Sequence, residues 1–248
     1  PKIVFLDADD RLLPDTLARF SSFLDDHPSV GVVYGERILI DEKGQSFGGG
    51  SAFLNRHPEG DVLESILRRP FLSTPSQACL RRETVPSAKW LGNVRRSGDW
   101  VLLAGAAFAS RFAYMGKSPL VKYRIHGRSQ LRSLANEPEG TVCVREYDEV
   151  MDGLFSLPGL EARFGMTKLS QLRRAAAATC LAIKGQEFLR RREYPAAQRF
   201  FHAAVRAGSR DIRDILCWLA TFSPSLLRLA EPIYGFANPK ESPRPPNM

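Results

Sequence analysis

Three carboxylates, Asp7, Asp9 and Asp10, fall between the apolar run Ile3-Val4-Phe5-Leu6 and Pro14. Acids packed this closely repel one another unless a cation sits among them. Hard oxygen ligands of this kind select Mg²⁺ or Mn²⁺, which commonly complete their shell with substrate phosphates. Acids at the carboxyl end of a strand also lie where open α/β sheets bind ligands. A plainer role is open as well, because aspartates at a strand-to-helix turn favour the positive end of the following helix. A calcium loop is not open: the glycine it requires is replaced by Leu12.

The elements that must position these acids can be read around them. Ile3 to Leu6 has the continuous apolar character of a central strand covered on both faces. Pro14 can open a helix, since its missing N–H costs nothing in a first turn. Leu17, Phe20 and Leu24 then form one apolar stripe. Val30 to Tyr34 and Ile38 to Ile40 read as strands, Asp41 to Gly44 as a turn and Gly48-Gly49-Gly50 as a mobile loop. Residues 61–69 read as a short helix, 78–80 as a strand, 99–110 as a helix, and 112–115 and 120–123 as strands. This alternation is α/β patterning.

From about Val142 the pattern is helical, with breaks near Pro158-Gly159, Gly208 and Pro224. The expected organisation is an α/β unit over residues 1–135, a linker at Asn136 to Gly140, and an all-α region over 142–238. The tail 239–248 holds four prolines and is expected to be disordered. Within the helical region, Gly185, Phe188, Tyr194, Ala197, Phe201 and Ala204 match the small and aromatic positions of a tetratricopeptide-like hairpin over about 178–211. Such a hairpin cannot stand alone and must pack on its neighbours. An ordinary helical hairpin fits the same residues.

Composition narrows the function classes. Net charge is +8, with arginine favoured over lysine, which suits anionic partners such as sugar diphosphates or lipid headgroups. The basic residues are spread along the chain among acids, an arrangement that argues against nucleic acid. Cys79, Cys143, Cys180 and Cys217 are scattered without metal-site spacing, so buried, inert thiols in a reducing cytoplasm are expected. No apolar run is long enough to cross a bilayer; Ile215 to Leu227 could at most lie on a membrane surface. The expected location is cytoplasmic, with peripheral contact at the inner face of the membrane. An apolar strand reached by residue 3 points to further sequence upstream.

Val4 to Ala18 resembles the DxD segment of family 2 glycosyltransferases, which have the type A nucleotide-sugar fold, a Rossmann-like α/β architecture. Further landmarks follow in order. Val32-Val33-Tyr34-Gly35 resembles the strand after the DxD helix, and Ser76 to Val85 the acceptor-side segment. Gly98-Asp99-Trp100 resembles the Glu-Asp-Trp signature, and Tyr123-Arg124-Ile125-His126 the Tyr-Arg-x-His strand. The resemblance covers about half of the chain.

The resemblance implies an inverting transfer of sugar from a nucleotide-sugar donor to a saccharide or lipid-linked acceptor, dependent on Mn²⁺ or Mg²⁺. Asp9 would hold the metal, Asp7 would contact the ribose or support the metal, and Asp10 would shape the field. Asp99 would be the general base, although the same residue could simply N-cap its helix. Arg124 would pair with the diphosphate or with an acid of the loop. His126 would touch metal or diphosphate, or close a strand end; His27, His57 and His202 carry no motif. Gly98 departs from the pattern, which has glutamate there. Because the family's nucleobase-holding strands precede the DxD, residues 1–248 alone are expected not to transfer sugar. Two other readings stand beside this one. A haloacid dehalogenase-type phosphatase also ends a strand in Asp-x-Asp but wants Gly-Thr where this chain has Asp10-Arg11. A non-catalytic protein could instead use the helical region to bind a partner.

Overall fold

The structure, a computed structural model, describes residues 1–49, 57–87, 97–125, 141–190 and 192–223. Six strands form one mixed sheet: β1 (Lys2–Val4), β2 (Arg11–Leu12), β3 (Val30–Ile40), β4 (Ser46–Gly49), β5 (Ala78–Arg81) and β6 (Arg111–Arg124). Their order is β1-β5-β3-β6-β2, with β4 paired to the far end of β3. β3 and β6 run parallel, whereas β5 runs antiparallel to both β1 and β3. The described helices are α1 (Thr16–Asp26), α2 (Leu63–Arg68), α3 (Gly98–Ala109), α4 (Thr141–Phe155), α5 (Leu160–Arg190), α6 (Tyr194–Arg206) and α7 (Ile212–Ala220). The chain is thus a mixed α/β sheet followed by helices.

Alternation along β3 shows why its sequence is apolar at successive positions. Val33 turns toward α1 and joins Phe20, Leu24, Cys79 and Leu120, while Val32 and Tyr34 turn the other way, into a core shared with α2 and α3. Both faces are covered, so no position from Gly31 to Glu36 is left in water. β3 and β6 are each continuous where a break was expected. Gly35 allows it in β3: a Cβ there would stand 2.4 Å from Leu120 Cδ1, so only glycine lets the two strands stay paired through this point. In β6 the interruption at Gly116 (φ 85°) is absorbed within the strand.

Several expectations need correction. β1 pairs with β5 alone among the described strands, so Lys2 to Val4 are half-buried rather than enclosed as in a central strand. Gly48 and Gly49 belong to β4, paired with Leu39 and Ile38, instead of a loop; Gly50 lies outside the described residues. Helix α1 buries Thr16, Phe20 and Leu24 but leaves Leu17 58% exposed, because the helix starts at Thr16 and turns Leu17 away from the sheet.

The helices after residue 141 do not form a layer apart from the sheet. Val150, Met151, Leu154, Leu160, Leu172, Ala176 and Cys180 share one apolar cluster with Val32, Tyr34 and Trp100. The expected linker at 136–140 lies outside the described residues, as does the tail 239–248. α5 is interrupted at Gly165 (φ 71°) and then pairs with α6. At their crossing a Cβ on Gly185 would meet the Phe201 ring at 3.0 Å, so the small residue sets the closeness of the hairpin. Cys79, Cys180 and Cys217 are buried, and burial pushes the thiol of Cys180 up to about 12.

One ionic tie binds α7 to the end of α2. The Arg69 guanidinium spans both oxygens of Asp214 (2.9 and 3.0 Å) and reaches Asp211 at 3.1 Å, and the Ser209 hydroxyl donates to Asp214 at 2.7 Å. Asp214 is fully buried, so losing its cation strands a charge away from water. Arg69→Leu should therefore cost about 3 kcal/mol in urea unfolding. Arg173→Ala, which breaks an exposed pair with Asp152, should cost under about 1 kcal/mol. Equal losses for the two variants would contradict this assignment.

Candidate functional site

β1 delivers the chain to the acids and stops at Val4. Phe5 still packs against the core shared with α2 and α3, whereas Leu6 is already half exposed. A turn follows, closed by the Asp10 N–H on the Asp7 carbonyl at 3.1 Å. The loop does not run straight into a helix. Arg11 and Leu12 first pair with Lys122 and Val121 of β6, and Thr16 Oγ1 donates to the Leu120 carbonyl at 2.6 Å. Both ends of the acidic turn are thereby tied to the sheet.

The three acids differ in setting. Asp7 is exposed, Asp9 half-buried and Asp10 only 6% exposed. Asp10 is the anchor. Its Oδ1 accepts the Arg124 N–H at 3.0 Å, and its Oδ2 lies 3.1 Å from Thr74 Oγ1. Thr74 Oγ1 is closer still, 2.8 Å, to Asp7 Oδ2, and Ser76 hydrogen-bonds Asp10. Ser76 Oγ also accepts the Asp7 N–H at 3.1 Å. Each hydroxyl has one hydrogen to give, so a consistent network lets Thr74 donate to Asp7 and Ser76 to Asp10. Burial raises the Asp10 carboxyl above the ordinary aspartate range, against the pull of Arg124, Ser76 and Thr74, and the charge of Asp7 adds to the rise.

Thr74 and the anchoring part of Asp10 were not legible as site features, and Ser76 stood out only as the start of the segment resembling the acceptor side. The other signal was the polar stretch Ser73 to Gln77 leading into β5. It forms a short 3-10 turn over Pro75–Gln77 that the Thr74 side chain caps by accepting the Ser76 N–H. Gln77 completes the support, donating to the Gly35 carbonyl at 2.9 Å and accepting the Ser73 N–H.

Arg124 clasps backbone rather than an acid side chain. Nε donates to the Asp9 carbonyl at 2.9 Å, and Nη1 to the carbonyls of Asp41 (2.7 Å) and Glu42 (3.0 Å). It thus links the acidic turn to the β3–β4 turn, which Asp41 closes by accepting the Gln45 N–H. The expected pairing of Arg124 with a loop carboxylate is replaced, among the described residues, by this carbonyl cage. His126 lies outside the described residues.

Asp99 arrives from the opposite direction, on α3. It is not the N-cap; Ser97 holds that position (φ 51°), which puts Asp99 second in the helix. Trp100 sets the helix in place, buried with Nε1 on the Ile66 carbonyl at 2.6 Å. Asp99 is half-buried. Burial holds its carboxyl above the ordinary range, opposed by the N–H groups of Trp100 and of Asp99 itself; the negative charge of Asp7 raises it further. Asp7, far from Asp99 in sequence, is thus near enough in space to act on it. Among the described residues, a Cβ on Gly98 would meet nothing within 4 Å.

Among the described residues, no three His, Cys, Asp or Glu side chains converge as a ready-made metal cluster. What is present is the exposed carboxylate of Asp7, with Oδ1 free of the Thr74 bond, beside Asp9. Two hard carboxylates suit Mg²⁺ or Mn²⁺ that shares its shell with phosphate oxygens. A second polar group sits on β3 and β6: buried Glu36 accepts the Tyr114 hydroxyl at 2.6 Å and faces His57 Nε2 at 3.3 Å, with the His57 ring stacked on Tyr114. No family model matches the chain, and no curated protein matches it either.

The raised Asp99 carboxyl has a thermodynamic consequence. Between the unfolded value and the raised folded value, the folded chain binds more protons than the unfolded one, so stability falls as pH rises through that window. Asp99→Asn removes the buried charge. It should raise stability at pH 7 by about 1 kcal/mol in urea unfolding, a gain that vanishes in acid below the ordinary aspartate range. A variant less stable than the wild type at pH 7 would show Asp99 to be a structural anchor instead.

Proposed function

We propose that this chain is the acid-loop and base-bearing part of a family 2-type glycosyltransferase with the type A nucleotide-sugar fold. In this reading a protein that carries this chain, rather than residues 1–248 alone, performs inverting, metal-dependent transfer from a nucleotide-sugar to a saccharide or lipid-linked acceptor. The observation that carries the reading is the pairing of Asp7, exposed at the end of β1, with Asp99, whose proton affinity Asp7 raises. A carboxyl raised by burial, with a second carboxylate near enough to raise it further, is a recurrent mark of acid–base sites. The strand-to-helix alternation and the parallel β3–β6 pair support the fold assignment.

Each residue then has a task. Asp9 and Asp7 would hold Mn²⁺ or Mg²⁺ against the donor's diphosphate, and the bound metal would offset the charge left on that group. Thr74 and Ser76 keep Asp7 aimed, and Asp10 with Arg124 keeps the turn from shifting. Asp99 accepts the proton of the acceptor hydroxyl as its oxygen bonds to the anomeric carbon. The bond from that carbon to the diphosphate oxygen breaks on the opposite side, inverting the centre. A raised carboxyl is a stronger base than an ordinary one, which suits this step.

Mn²⁺ titration followed by electron paramagnetic resonance, with UDP or GDP present, tests the donor half. Nucleotide-dependent Mn²⁺ binding is expected, and Asp7→Asn or Asp9→Asn should weaken it about tenfold or more. Asp99→Asn should leave that binding intact while lowering transfer about 10²- to 10⁴-fold in a protein that carries this chain. Binding indifferent to both loop acids would overturn the assignment. A phosphoryl group trapped on Asp7 would favour the phosphatase chemistry instead.

A further inference from the structure

Helix α7 is amphipathic in an unusual way. Its inner face buries Asp214, Cys217 and Ala220. Its outer face carries Ile212 (54% exposed), Leu216 (37%) and Leu219 (45%), and Phe222 (61%) continues the row just past the helix end. The spacing of Ile212, Leu216 and Leu219 puts them on one side of the helix. Single exposed apolar residues need no explanation, but a contiguous row marks a contact surface.

The charges around this row are sorted by sign. Asp211 and Asp214 are the only acids between Tyr194 and Ser223. Both are occupied internally: Asp214 by Arg69 and Ser209, and Asp211 by Arg69 and the Arg213 guanidinium at 2.7 Å. Asp211 is held down to about 2 although burial opposes this, with Arg213 and Arg69 as the cations responsible. Arg206 and Arg210, at the corner between α6 and α7, are exposed. The start of the row is therefore rimmed by two exposed arginines, Arg206 and Arg210.

We infer that the outer face of α7 is a docking surface for an anionic lipid bilayer. An apolar row flanked by arginines lies at the headgroup boundary, with the side chains of Leu216, Leu219 and Phe222 in the acyl region and Arg206 and Arg210 on lipid phosphates. No described helix is long and apolar enough to cross a membrane, so the contact is peripheral. A second copy of the chain is a poorer occupant, because pairing like faces would bring the arginine rims together. The inference does not depend on the chemistry of the acidic turn.

Co-sedimentation of the full chain with phosphatidylcholine vesicles, and with vesicles containing phosphatidylglycerol, tests it. Binding to the anionic vesicles should exceed that to neutral ones about tenfold and should weaken with salt. L216E with L219E should lower it about tenfold or more, with circular dichroism unchanged because both positions are exposed. Arg206→Glu with Arg210→Glu should abolish the preference for anionic lipid. The inference is overturned if the full chain ignores anionic vesicles or if L216E/L219E binds as well as the wild type. It is equally overturned if only a chain ending at Ser223 binds, since residues 224–248 would then cover the row. A dimer seen by size exclusion and lost in L216E/L219E would assign the row to a second copy.

Discussion

A buried carboxylate holds the site together. Asp10 is taken out of water, and a charge in that position is tolerated only when donors surround it. Its donors come from separate parts of the chain: the backbone of Arg124 at the end of β6, and the hydroxyls of the turn before β5. Satisfying Asp10 therefore joins the acidic turn, the last strand and the Thr74 turn into one rigid corner. Asp7 is exposed and would otherwise be free to wander, but it inherits a fixed direction from the same hydroxyls. A buried polar network of this kind is worth more than its pairwise bonds, because removing any member leaves the rest unsatisfied.

The helices supply the other wall. α3 buries the run Trp100 to Ala107, and the Trp100 indole on the Ile66 carbonyl sets its rotation. α4 and α5 lie in the same cluster as the sheet, so the long helical stretch braces α3 from behind, while Arg69 ties α7 back to α2. The position of Asp99 thus depends on apolar packing, and the position of Asp7 on hydrogen bonds to Thr74 and Ser76, both far along the chain.

Much of this was legible in the residues. The apolar run before Asp7, the turn at Asp41 to Gly44, the helix carrying Trp100 and the Gly185–Phe201 hairpin all follow from local patterning. What failed to show was pairwise and tertiary. Nothing local tells that Leu17 faces water while Phe20 does not; that depends on where the helix starts. Breaks placed at Gly35 and Gly116 were reasonable from composition, yet strand pairing carries β3 and β6 through both. Asp10 looked like the least interesting of three acids, because its value lies in the Arg124 N–H, a partner far along the chain. Similarly, His57 acquires meaning only beside Glu36 and Tyr114.

The central claim is that the end of β1 and the start of α3 face one cleft, so that the charge of Asp7 is felt at Asp99. Carbon-13 NMR titration of the Asp99 carboxyl measures this directly. The account predicts an Asp99 pKa above the ordinary aspartate range that moves down in Asp7→Asn. An Asp99 pKa unchanged by that substitution would contradict it.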